Sequence, residues 1–200
     1  MLEKLLKSLE LKSRIKNFVV KNNVILDVVI YGSSVRGKED TRDIDFAILL
    51  SGRVDVGKKL SLCQQLKEML ENILPAMQVD VKIADMNDFL DPNFLARQGI
   101  ISEGYLILRK KYIAHMLGFK TFVLMKYSLK GLTPSQKKML YYALKGRREG
   151  RGVLDGVQGE LLSNELLKIP IQASYKIEQL LKLHKVGFTT EFVMSYKKRY

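Results

Sequence analysis

Two aspartates separated by one apolar residue, Asp43-Ile44-Asp45, open an apolar run that continues to Leu50. Alternation along an extended chain puts both carboxylates on one face, where they repel each other unless a positive group lies between them. Hard oxygen donors placed in this way suit Mg2+ or Mn2+ rather than Zn2+. A third acid, Asp80, sits between Val79 and Val81 in the alternating segment Gln78–Ile83. If the segments share one sheet, Asp43, Asp45 and Asp80 converge on a site for one or two divalent ions. Two such ions about 4 Å apart hold a phosphoryl centre and its leaving group in line. Upstream, the apolar run ending in Ile30-Tyr31 stops at Gly32-Ser33. Glycine lets the backbone come close to a ligand, and Ser33 with the amides that follow offers donors to a phosphate. Asp85 and Asp88 read as solvated loop charges, and Lys82 shares the predicted face of Asp80.

The elements that must hold these residues follow from periodicity and punctuation. Apolar residues at helical spacing predict a helix over 2–22, followed by a buried strand over 24–31. The polar stretch 32–42 is a turn, 43–50 a second strand, and 55–74 an amphipathic helix stopped by Pro75. The third strand covers 78–83, a helix over 92–103 opens with Pro92, and 105–109 is a short strand. A change in charge balance near residues 110–118 marks a boundary, giving expected domains of 1–112 and 113–200. The second half reads as strand 121–129, helix 134–145 capped by Thr133, strand 165–169, helix 171–185 and strand 188–196. The expected fold class is α+β: a mixed sheet with helices, then a small basic β-α-β-α-β module.

Composition narrows the partners. Of the net charge of +13, residues 1–109 carry +1 and residues 110–200 carry +12. So uneven a distribution points to a polyanion, with RNA ahead of DNA or an acidic membrane surface. The densest basic stretch, Lys145-Gly146-Arg147-Arg148-Glu149-Gly150-Arg151-Gly152, supplies arginine forks for phosphates. Arg147, Arg148 and Arg151 are the candidate acceptor-binding residues, and Tyr127, Tyr141 and Tyr142 nearby could stack on bases. The loop lacks the ending of a P-loop, so it is not a second triphosphate site. A single cysteine, Cys63, excludes an internal disulfide and fits a reducing cytoplasm. No apolar run reaches the ~18 residues of a membrane span, and Met1–Asn22 lacks the apolar block of a signal peptide.

The combination Gly32-Ser33, a nine-residue interval holding Arg36-Gly37, Asp43-Ile44-Asp45 and then Val79-Asp80-Val81 resembles the nucleotidyltransferase superfamily of the DNA polymerase β type, in its minimal form. The resemblance covers residues 24–109. It implies that Asp43 and Asp45 ligate metal, and that Asp80 ligates the catalytic metal and helps remove the acceptor's proton. Gly32, Ser33 and Arg36 would hold the triphosphate. The implied reaction is attack of an acceptor hydroxyl on the α-phosphate of a nucleoside triphosphate, ATP by analogy with the family, with release of pyrophosphate. RNA is the expected acceptor, because the basic second half has no counterpart in a minimal enzyme. The alternatives are an antitoxin-like nucleotidyltransferase that AMPylates or binds a protein partner, and an inactive nucleic-acid-binding module. Aminoglycosides fit poorly, since cationic substrates want an acidic cleft.

Overall fold

Leu11, Ile15 and Phe18 recur about one turn apart on helix α1 (Leu9–Lys21) and are all buried, while Ser8 caps the helix by accepting from the Leu11 N–H at 3.2 Å. The structure, a computed structural model, describes residues 5–6, 8–38, 42–147 and 150–196. It divides into two units, residues 1–118 and 119–200. In the first, α1 is followed by strand β1 (Ile25–Tyr31), a 3-10 turn over Gly32–Ser34, and strand β2 (Asp43–Leu50). Helix α2 (Val56–Ile73), capped by Asp55, leads to strand β3 (Gln78–Ala84).

Short elements complete the unit: helices α3 (Met86–Leu90) and α4 (Ala96–Glu103), strands β4 (Tyr105–Leu106) and β5 (Lys111–Tyr112), and helix α5 (Ile113–Met116). The strands form a mixed sheet in the order β3-β2-β1-β4-β5, with β3 parallel to β2 and the remaining pairs antiparallel. One face of β2 sends Ile44, Phe46 and Ile48 into a core with Leu11 and Ile15 of α1 and Leu62, Leu66 and Leu70 of α2. Its other face carries Asp43, Asp45 and Ala47, and there Ala47 packs with Val29, Tyr31, Ile100 and Leu106. This is the alternation that the sequence predicts, now with each face assigned to a core.

Two expected elements take a different form, and each has an electrostatic cause. The helix expected over 92–103 is present from Ala96 to Glu103 as α4, with Pro92 in the turn between it and the additional short helix α3. Asp85 starts α3 instead, accepting from the Asn87 and Asp88 N–H groups while Asp88 accepts from the Asp85 N–H at 2.8 Å. Lys59 Nζ lies 3.1 Å from Asp85 and 2.7 Å from Asp88. Asp85 is therefore a buried cap and not a solvated loop charge. The strand expected over 105–109 ends at Leu106, because the fully buried Asp27 carboxylate draws the next turn inward. It accepts from the Leu108 N–H at 3.0 Å, the Arg109 N–H at 3.2 Å and the Arg109 guanidinium at 3.0 Å.

The second unit is a four-stranded antiparallel sheet in the order β7-β8-β6-β9. Its elements are β6 (Lys120–Tyr127), α6 (Pro134–Lys145), α7 (Val153–Val157), β7 (Glu160–Ser163), β8 (Leu166–Pro170), α8 (Ser174–Leu183) and β9 (Phe188–Ser195). Thr133 and Gln136 form a reciprocal cap at the start of α6, with Pro134 in its first turn. The order exceeds β-α-β-α-β by α7 and by the edge strand β7. Val123, Met125, Leu167 and Ile169 of the sheet meet Leu140, Leu144, Ile177 and Leu181 of α6 and α8 in a separate core. Among the described residues no helix is long and apolar enough to cross a membrane.

The Asp27 carboxylate ties strand β1 to the turn after β4, so Asp27→Ala leaves buried N–H donors unpaired. It should cost roughly 2–4 kcal/mol in urea unfolding and speed amide exchange at Leu108 and Arg109. Unchanged exchange at those two amides would contradict this role.

Candidate active site

The in-register pairing of three strands builds the site. Asp45 is paired with Tyr31 on β1 and with Asp80 on β3, and Asp43 is paired with Gln78. Paired residues share a face, so Tyr31, Asp45 and Asp80 form a row across β1, β2 and β3, with Asp43 two residues along β2 on the same side. Asp45 is half-buried, whereas Asp43 and Asp80 are exposed. Burial pushes the Asp45 carboxyl above the usual carboxylate range, and the charges of Asp80 and Asp43 push it the same way against Lys82 and Arg36. Tyr31 is raised by burial and then by Asp45 and Asp80, so it stays a neutral phenol.

The Gly-Ser turn lies against these acids. Gly32 has φ +78°, and a Cβ there would run into Asp45 Oδ2. The close approach that requires glycine at this position is therefore made by the site's own carboxylate. Ser33 is half-buried in the 3-10 turn, and the Ser34 hydroxyl donates to the Tyr31 carbonyl at 3.3 Å beneath it. Behind the turn lies a carboxyl that the motif reading missed. Glu103, at the end of α4, is buried, receives the Gly32 N–H, and has Arg36 Nε 3.8 Å from its Oε2. Among the described residues that Oε2 makes no hydrogen bond. Burial raises the Glu103 carboxyl, with Arg36 and the Gly32 N–H pulling it down and Asp45 pushing it up. In sequence its only signal is an acid followed by Gly104 at the start of an apolar strand.

Three carboxylates on one face are the right donors for a hard divalent cation. In the arrangement described, Asp80 turns to Lys82, with Nζ 3.1 Å from its Oδ2. Among the described residues no group of three or more His, Cys, Asp and Glu side chains converges closely enough to hold an ion. The residues thus fit in type and face, with Asp80 held in an ion pair with Lys82.

The expected acceptor residues belong to the second unit. Arg147 is exposed, with its guanidinium carbon 5.7 Å from the centre of the Tyr142 ring, Arg151 is exposed, and Arg148 lies outside the described residues. The glycines of this loop close it upon itself. A Cβ at Gly146 would strike the Gly150 carbonyl, and one at Gly152 would strike Leu144 O and Gly146 N.

The family model described as Polymerase beta, Nucleotidyltransferase matches residues 13–112, half of the chain. The chain belongs to the polymerase beta nucleotidyltransferase family. The match spans the whole mixed sheet from β1 to β5, and the family uses a nucleoside triphosphate and a divalent metal. Solved structures similar to it include a mutant of the toxin–antitoxin complex MntA–HpeT, at 16% identity and a TM-score of 0.35 over 48% of this chain and 70% of that one. Another is the tri-AMPylated Shewanella oneidensis HEPN toxin in complex with MNT antitoxin, at 21% identity and a TM-score of 0.32 over 48% of this chain and 67% of that one. A third, the toxin–antitoxin MntA–HepT, gives 18% identity and a TM-score of 0.32 over 48% and 68%. No curated protein matches the chain.

Because its folded-state pKa is raised, Glu103 contributes stability that is fully present below its unfolded value of about 4.3 and is lost as pH rises through the folded value. Glu103→Gln cannot titrate, so its urea midpoint relative to the native chain should climb with pH across that window. A difference that stays constant with pH would show that Glu103 is not held in this way.

Proposed function

We propose that the protein transfers a nucleoside monophosphate from a nucleoside triphosphate, with ATP as donor, to a hydroxyl of an RNA acceptor in the cytoplasm. The observation that carries this reading is the row of Asp45 and Asp80, with Asp43 beside it, set against the positive-φ turn at Gly32. Asp43, Asp45 and Asp80 would hold Mg2+ or Mn2+. When bound, the ion pair supplies the positive charge that offsets the charge developing on the phosphoryl oxygens.

The chain's own residues do the rest. Asp80 is exposed at the end of the row, where its carboxylate can take the proton of an incoming hydroxyl. Ser33 and the amides of its turn receive the triphosphate tail, while Glu103 takes the Gly32 N–H and so holds the turn at its fixed distance from Asp45. Arg36 lies near enough to Asp45 to lower its pKa, and brings positive charge to the same side of the turn. The acceptor reading rests on charge. The second unit carries 16 Lys and Arg against 6 Asp and Glu, a surplus of ten that a protein-modifying minimal enzyme has no need of.

Incubation with α-labelled ATP, Mg2+ and cellular RNA should place label on RNA. Asp43→Ala and Asp45→Ala should each reduce transfer by at least about 100-fold with the fold retained by circular dichroism. Full activity in both variants would overturn the site, and label on a protein instead of RNA would overturn the acceptor. Since the raised Asp45 must lose its proton to hold a cation, transfer should increase as pH rises through its titration. RNA binding should weaken steeply with salt, and Arg147→Ala or Arg151→Ala should each lower the slope by about one. A salt-independent association would count against phosphate contacts.

A further inference from the structure

Helix α6 has two unlike faces. Leu140 and Leu144 are buried in the core of the second unit, while Lys137, Lys138, Tyr141, Tyr142 and Lys145 stand on the other side at i, i+4 spacing. Between that side and the neighbouring β6 and β7 lies a cavity of about 340 Å3, lined by Tyr127, Lys137, Lys138, Tyr141, Tyr142 and Asn164 among others. Its size falls within the roughly 300–1,000 Å3 of small-ligand pockets.

Each wall has a distinct chemistry. Tyr141 is 52% exposed and meets Tyr142 edge-on, with ring centres 6.1 Å apart, so one flat aromatic surface remains open to solvent. Tyr142 is half-buried, and Lys138 Nζ and the Arg147 guanidinium lie 5.8 Å and 5.7 Å from its ring centre. The ring's negative face thus gathers two cations at the cavity rim. Tyr127 forms a buried floor, and Asn164 offers both a donor and an acceptor. Among the described residues no acid lines the cavity, and the neighbouring Glu165 carboxylate already accepts from the Leu129 N–H at 2.6 Å.

We infer that this cavity receives an unpaired base of a single-stranded nucleic acid, stacked on Tyr141, with Lys138 and Arg147 taking the adjoining phosphates. The inference rests on the RNA-acceptor reading and adds to it a strand type and a contact residue. A duplex buries its base faces and offers no ring to such a wall, whereas a splayed base presents both a π-face for Tyr141 and an edge for Asn164. The basic loop by itself would hold single strand and duplex alike.

The test is fluorescence anisotropy on the full-length protein with a labelled single-stranded oligoribonucleotide and with a blunt duplex of the same length. Tyr141→Ala should weaken single-strand binding about tenfold or more and leave the duplex unaffected, and Tyr141→Phe should restore it. Arg147→Ala should weaken both. A 5-iodouridine oligonucleotide should photo-crosslink to Tyr141. Tyr141 is exposed, so its replacement leaves the core intact. If the native protein binds the single strand and Tyr141→Ala binds it equally well, the pocket assignment is wrong while the RNA reading stands. If neither RNA binds, both fall. Displacement of the oligonucleotide by AMP at matching concentration would overturn the assignment in favour of a mononucleotide.

Discussion

The register between β1, β2 and β3 is the constraint on which everything else depends. Tyr31, Asp45 and Asp80 stand opposite one another, so that burial first and the neighbouring charges of Asp80 and Asp43 second raise Asp45. Taken alone such a row is unfavourable. It persists because the same strands send Ile30, Ile44, Phe46, Ile48 and Val79 into the opposite core, where all five are buried. A slip of one residue would expose that set and bury the acids, so the apolar face specifies the position of the polar one. Core burial offsets the electrostatic cost, and the repulsion that remains is what a divalent cation would relieve.

The same logic explains why the shared face of the three acids was legible in the sequence while the supports around it were not. An Asp-apolar-Asp on a strand announces its geometry, because a period of two leaves no other face for the second acid, and the parallel strand bearing Asp80 is marked by its valines. Glu103, Asp27 and Asp85 carry no such local mark. Each acquires its role from a partner far along the chain: Gly32 and Arg36 for Glu103, Leu108 and Arg109 for Asp27, Lys59 for Asp85. Periodicity finds faces, and pairing between distant segments lies beyond it. Pro92 misled for a related reason. Proline suits the first turn of a helix, but here the caps at Asp85 and Asp91 had already committed the backbone to a short helix and a turn.

The second unit shows where composition informs and where it fails. Its charge surplus and the capped helix α6 were readable from residue types. Strand β7 was not, since Glu160-Leu161-Leu162-Ser163 lacks alternation and takes its strand character from pairing with β8, across a register shift near Leu161 and Ser163. The glycines of the basic loop invite a phosphate-cradle reading, yet Gly146 and Gly152 are spent on bringing the loop's two ends together. Any phosphate recognition there would fall to side chains, and of the two arginines described in the loop Arg147 leans on the Tyr142 ring while Arg151 is exposed.

Gly32 shows most clearly how local and distant constraints meet in one residue. Its positive φ is a demand of the turn that ends β1, its bare Cα is a demand of Asp45 on β2, and its N–H is taken by Glu103 from α4. Three elements distant in sequence therefore locate one backbone atom. A turn held from three sides is suited to keep its place when negative charge gathers around it, as the proposed triphosphate site beside carboxylates would require. The constraint is distributed, since the turn's own 3-10 bonds are few and the sheet, the buried Glu103 and the Asp45 carboxylate bear on it as well.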